Sequence, residues 1–86
     1  MKTKKLIRKV KAFLSADRRA QLAKADSLEK ILEKLERKAA SLREKLDAEN
    51  DEKERSELLR KLEVIEAQRV KGEKLGRELE AEREAS

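Results

Sequence analysis

Cysteine, proline, histidine, tryptophan and tyrosine are all missing from this 86-residue chain, and each absence narrows what it can be. Without cysteine there is no disulfide framework and no thiolate metal site, so nothing points to an oxidising compartment and a cytoplasmic location is the expectation. Without histidine or cysteine the chain lacks the side chains that serve near neutral pH as nucleophile, tuned base or soft ligand. Its glutamates need a desolvated pocket before they do acid or base work, and so charged a chain offers none. The expectation is therefore not an enzyme: no catalytic residue, cofactor, metal or small-molecule substrate. Long apolar runs are missing too. The longest are two or three residues, against roughly 20 for a bilayer span, and no apolar stretch of a secretory signal is recognisable at the N-terminus.

What is present is charge and leucine. Half of the residues are charged and 37% are apolar, with 13 Leu and 11 Ala beside 24 Lys plus Arg and 19 Asp plus Glu. Such a composition is the signature of long helices or coiled coils. The net charge of +5 is unevenly spread. Residues 1–26 carry nine cations against two acids, while residues 27–86 carry 15 against 17, so the basic character belongs to one end.

The clearest pattern begins at Leu28 and continues through Leu32, Leu35, Ala39, Leu42 and Leu46. Alternating steps of four and three keep one narrow stripe on a helix, as a heptad seam does. Asp26 and Glu29 just before it match a capping box, which predicts a helix start at Asp26. The stretch Glu49 to Glu57 has no apolar side chain, and the later Leu58, Leu62 and Ile65 are out of phase with the first stripe. Both features predict a turn near residues 49–52, with Asn50 closing the first helix in the left-handed conformation and Asp51 with Glu54 capping the second. Folding there opposes Leu46 to Arg55, Leu42 to Leu58, Ala39 to Leu62 and Leu35 to Ile65, and places Gly72 and Gly76 near Leu28 and Ala25. The expected fold class is all-α: an antiparallel, coiled-coil-like helical hairpin over 26–86, preceded in 1–25 by a short basic amphipathic helix.

Two helices bury only one seam, and the entropy of ordering, roughly 1.5 kcal/mol per residue, usually cancels so small a core. Ile31, Leu59 and Leu75 flank the seam and Val64 and Val70 lie further round the second helix, a second, broken apolar face that needs covering by the N-terminal helix, by a second copy in a four-helix bundle, or by another protein; the candidate interaction face is Ile31, Leu58, Leu59, Ile65, Val70 and Leu75. The leading functional reading is a non-enzymatic interaction or scaffolding module that self-associates, as a homodimer, through this face.

The N-terminal segment sets Leu6, Ile7, Val10, Phe13 and Leu14 against a ring of cations. Lys4, Lys5, Arg8, Lys9, Lys11, Arg18 and Arg19 are the candidate residues for nucleic acid or another anionic surface, which gives the alternative reading: a small basic nucleic-acid-binding accessory protein. Phe13 is the only aromatic residue, so stacking on single strands has little to work with. Peripheral contact with an anionic membrane would use the same segment, apolar face inward. The acidic residues around the turn lack the spacing of a calcium loop and are assigned to a solvated helix start. Arg69 occupies a seam position, where its stem can line the seam while the guanidinium reaches a Glu. Glu33 with Arg37, Glu57 with Lys61 and Glu73 with Arg77 have the spacing of surface ion pairs.

Overall fold

The computed structural model describes residues 3–85. The chain is all-α: α1 (Thr3–Ser15), α2 (Arg18–Ala23), α3 (Ala25–Ala48) and α4 (Glu52–Ala85), with no strand among the described residues. The molecule measures 52 × 19 × 17 Å. At 1.5 Å per residue the 34 residues of α4 span about 51 Å, so α4 sets the long dimension and the other helices lie along it.

The connections are settled by local hydrogen bonding. Ser15 Oγ donates back to the carbonyls of Lys11 and Ala12, at 3.1 and 3.2 Å, and α1 stops there. Asp17 is extended and its carboxylate accepts from the Ala20 N–H at 2.9 Å, an N-cap for α2. The buried Gln21 donates through Nε2 to the Phe13 carbonyl at 3.0 Å, which also accepts from the Ala16 N–H at 3.2 Å, and so ties α2 to the end of α1. At the other end of the molecule Asp51 caps α4, its Oδ2 accepting from the Glu54 N–H at 3.1 Å.

Two expectations about helix ends are corrected. Asp26 does not start α3; the N-cap position is Lys24, which makes no side-chain capping bond, and Asp26 falls in the first turn. The reason is that α2 runs almost directly into α3. The Lys24 N–H bonds back to the carbonyls of Ala20 and Gln21, and its own carbonyl accepts from Ser27 and Leu28, so no free helix start is left for a capping box. Nor does Asn50 adopt the left-handed conformation, since no described residue has a positive φ. Glu49 is extended instead, and Arg55 Nη1 donates to the carbonyls of Leu46 at 2.7 Å and Glu49 at 3.1 Å. That guanidinium occupies acceptors which a left-handed residue would have satisfied with its backbone.

Contacts between α3 and α4 run in reverse order along the two helices: Arg55 with Leu46 near the turn, Glu66 with Arg43, Gly72 with Leu32, Gly76 with Leu28, and Arg83 with Asp26 at the far end. Leu35, Ala39, Leu42 and Ile65 share one buried cluster with Leu6 and Val10 of α1. A second cluster joins Leu28, Leu75 and Leu79, with Phe13, Leu14 and Leu22 packed against it. The N-terminal segment therefore lies on the α3–α4 pair and covers both ends of its seam.

The glycines sit one turn away from their expected neighbours, because helical side chains lean toward the N-terminus of their own helix and Leu32 reaches further along α4 than its backbone level implies. A Cβ on Gly72 would meet Leu32 Cδ2 at 2.6 Å, whereas one on Gly76 would find its nearest neighbour, Leu28 Cδ2, at 3.9 Å. Gly76→Ala is thus expected to stabilise the protein by roughly 0.5–1 kcal/mol. Gly72→Ala gains little or nothing, because pushing Leu32 off its rotamer costs about 0.5–1.5 kcal/mol. Urea midpoints of the two variants check this, and equal gains would show that Leu32 is not held against Gly72.

Candidate anion-binding site

Helix α1 turns Leu6 and Val10 into the core and leaves Lys4, Lys5, Arg8, Lys9 and Lys11 exposed. Because α1 lies beside α3, one row of these cations faces a row on its neighbour. A cleft of about 460 Å³ between the two helices is lined by Lys5 and Lys9 from α1 and by Lys34, Arg37 and Lys38 from α3, with Leu6 and Ser41 completing it. Five cations and no acid share this space.

The cleft continues in both directions. Lys9 also lines a neighbouring cleft of about 480 Å³ that adds Lys24 and Lys30 over Phe13 and Ile31. Lys38 also lines one of about 670 Å³ at the other end of α1, which adds Lys4, Lys45, Arg60 and Lys61. Among the described residues the three clefts around α1, joined through the shared Lys9 and Lys38, carry eleven cationic side chains and a single acid, Glu57. None of the eleven takes part in an ion pair among the described residues.

The paired cations lie elsewhere. Arg18 reaches Glu78 at 3.3 Å and Glu82 at 3.5 Å, and Arg83 reaches Asp26 at 3.5 Å. Arg43 bonds Glu66 at 3.1 Å, and Arg69, with its side chain only 18% exposed, holds Glu66 at 2.9 Å and Glu73 at 3.3 Å. The expected pairs of Glu33 with Arg37, Glu57 with Lys61 and Glu73 with Arg77 are not among these, and Arg37 and Lys61 stand free in the groove. Away from the groove, a cleft of about 760 Å³ between the start of α3 and the end of α4 carries Asp26, Glu29, Glu73, Glu80 and Glu84 against Arg77 and Arg83. Charge is thus sorted to different sides of a narrow molecule.

Of the seven cations anticipated from the sequence, Lys4, Lys5 and Lys9 line the groove. Arg8, Lys11 and Arg19 are exposed outside it, and Arg18 is engaged by α4. The larger part of the site was missed: Lys24, Lys30, Lys34, Arg37, Lys38, Lys45, Arg60 and Lys61. A signal for the α3 members was present, since Lys30, Lys34, Arg37, Lys38, Ser41 and Lys45 follow one another at helical spacing and mark a single stripe. Every lining cation is a hydrogen-bond donor without acceptor capacity. The groove can therefore neutralise and bind phosphate or carboxylate groups.

The anticipated apolar interaction face is mostly internal. Ile65 is fully buried and Leu75 nearly so, while Ile31 and Leu58 pack against the core. Leu59 and Val70 alone of the six are exposed, at 44% and 64%. Ile65→Ala is accordingly expected to cost about 2–5 kcal/mol of stability, and Leu59→Ala no more than about 0.5 kcal/mol. Thermal or urea unfolding of the pair distinguishes an internal role from a surface one. No protein-family model, curated protein or solved structure matches the chain, so its chemistry is read from its own geometry.

Proposed function

We propose that this chain is a non-enzymatic binding module, a coiled-coil-like antiparallel hairpin over residues 26–86 with a basic amphipathic segment, residues 1–25, laid across it, which holds nucleic-acid phosphates along the α1 groove. The observation that carries this reading is the α1–α3 cleft with five cations and no acid, continued by Lys24 and Lys30 in the neighbouring cleft. Phosphate backbones bind such surfaces largely by releasing condensed counterions, which needs cations in a row and no shaped catalytic pocket. The scarcity of aromatic residues fits recognition of backbone over bases. A cytoplasmic setting goes with the same proposal. Membrane attachment is less well served, because Leu6 and Val10, which would enter the headgroup region, are packed inside.

Self-association is the second reading, and it now rests on the exposed Leu59, Val64 and Val70 of α4. Glu63 and Glu66 lie between them on that helix, so a second copy would meet a mixed surface, and sedimentation at micromolar concentration decides whether it does. For the leading reading the decisive measurement is fluorescence anisotropy of a labelled DNA duplex across a salt series. Binding is expected with a dissociation constant on the order of 1–100 µM near physiological salt, weakening steeply as salt rises. Replacing Lys34 and Arg37 together with Ala should flatten the log–log salt slope by about two. Arg18→Ala, at a cation already held by Glu78 and Glu82, should change it by less than about one. Absence of binding at low salt to either duplex or single strand would refute the proposal.

A further inference from the structure

The cleft at the turn-proximal end of α1 differs in kind from the rest of the groove. Each of three helices contributes one stripe to it, and each stripe holds an aliphatic side chain beside cations: Ile7 next to Lys4 on α1, Leu42 between Lys38 and Lys45 on α3, and Val64 after Arg60 and Lys61 on α4. Leu58 adds to the floor, and Glu57 is the only acid. Val64 is 44% exposed and Ile7 and Leu58 are half-buried, so these three offer apolar surface to a partner above the nearly buried Leu42. Phosphates gain nothing from an aliphatic floor. A helix with leucines on one side and glutamates along both edges satisfies both parts of the cleft, apolar side chains on the floor and carboxylates against the rim.

We infer that this three-helix cleft is a docking site for an acidic amphipathic helix of a partner protein, separate from the phosphate-binding role of the α1–α3 cleft. The cleft's volume of about 670 Å³ lies within the range of ligand pockets, but small ligands are held by burying about 70–90% of their surface. An open trough with cations on every wall fits one face of a longer rod better. Charge complementarity also sets the partner's sign: five cations against one acid repel a basic amphipathic helix.

The test uses the full chain and a fluorescein-labelled synthetic peptide of about three to four helical turns, leucines at i, i+4, i+7 and i+11 and glutamates around them. A scrambled peptide of the same composition is the comparison. The ordered peptide is expected to bind at least about tenfold more tightly than the scramble, a difference that burial of one or two leucines supplies. Methyl signals of Ile7, Leu42 and Val64 should shift on its addition. Val64→Asp and, separately, Lys61→Glu should each weaken it severalfold while the helical circular dichroism is unchanged. Replacing Lys34 and Arg37 with Ala should leave peptide binding nearly intact, so this site and the nucleic-acid reading succeed or fail independently. Equal affinity for ordered and scrambled peptides, or shifts confined to the methyls of Leu59 and Val70, would overturn the inference, as would duplex binding with no peptide binding at all.

Discussion

The docking of α1 onto the α3–α4 seam is the contact on which the rest of the molecule depends. A chain with 37% apolar residues cannot enclose a core with two helices. Val10 and Ile65 are both fully buried because α1 lies where the two seams meet. Take α1 away and Leu35, Ala39, Leu42 and Ile65 lose the covering that Leu6 and Val10 supply. Fully burying a side chain of this size is worth about 1.5–3 kcal/mol, so a few such contacts are a large part of the stability expected of a small domain. At the other end the Gln21 bond to the Phe13 carbonyl keeps the turn out of α1 closed, which brings Phe13 and Leu14 against Leu28 and Leu79.

The same contact decides the electrostatics. On an amphipathic helix with lysines on both flanks, turning Leu6 and Val10 inward lays Lys5 and Lys9 beside the neighbouring helix. That neighbour offers Lys34, Arg37 and Lys38. Like charges are thus brought together by apolar burial, at a cost that water and salt keep small, since unit charges 4 Å apart interact by only about 1 kcal/mol in bulk water. The ion pairs that do form lie outside the groove: Glu66 with Arg43 and Arg69, Glu78 and Glu82 with Arg18. Each exposed pair contributes little, about 0–1 kcal/mol, but their placement leaves the groove cations uncompensated.

How much of this was legible follows from the range of each interaction. Helical class, the turn around Glu49 to Asp51 and the cap at Asp51 are written in residues a few positions apart, and local sequence carries them. Asp26 and Asn50 misled because a capping motif states what a residue can do at a free helix end, and here neither end is free: α2 feeds into α3, and Arg55 reaches back from α4. Leu75 read as part of an outward face because nothing local says which side of the pair the N-terminal segment will cover. The groove had the same difficulty. Its α3 row shows at helical spacing, but that it would stand opposite Lys5 and Lys9 is a property of the folded arrangement.

Crowding of cations along a docked helix also couples binding to folding. With the groove empty, repulsion among Lys5, Lys9, Lys34, Arg37 and Lys38 opposes the seating of α1, and it grows as salt is withdrawn and the screening length increases. A polyanion lying in the groove reverses the sign of that term, since each bound anionic group interacts with cations from both helices at once. Whatever binds the docked arrangement more tightly than the undocked one stabilises it by mass action. Apolar burial that forces like charges together thereby makes α1 the element whose seating an anionic partner reinforces. The core and the cationic groove are two sides of a single helix, and neither can be altered without acting on the other.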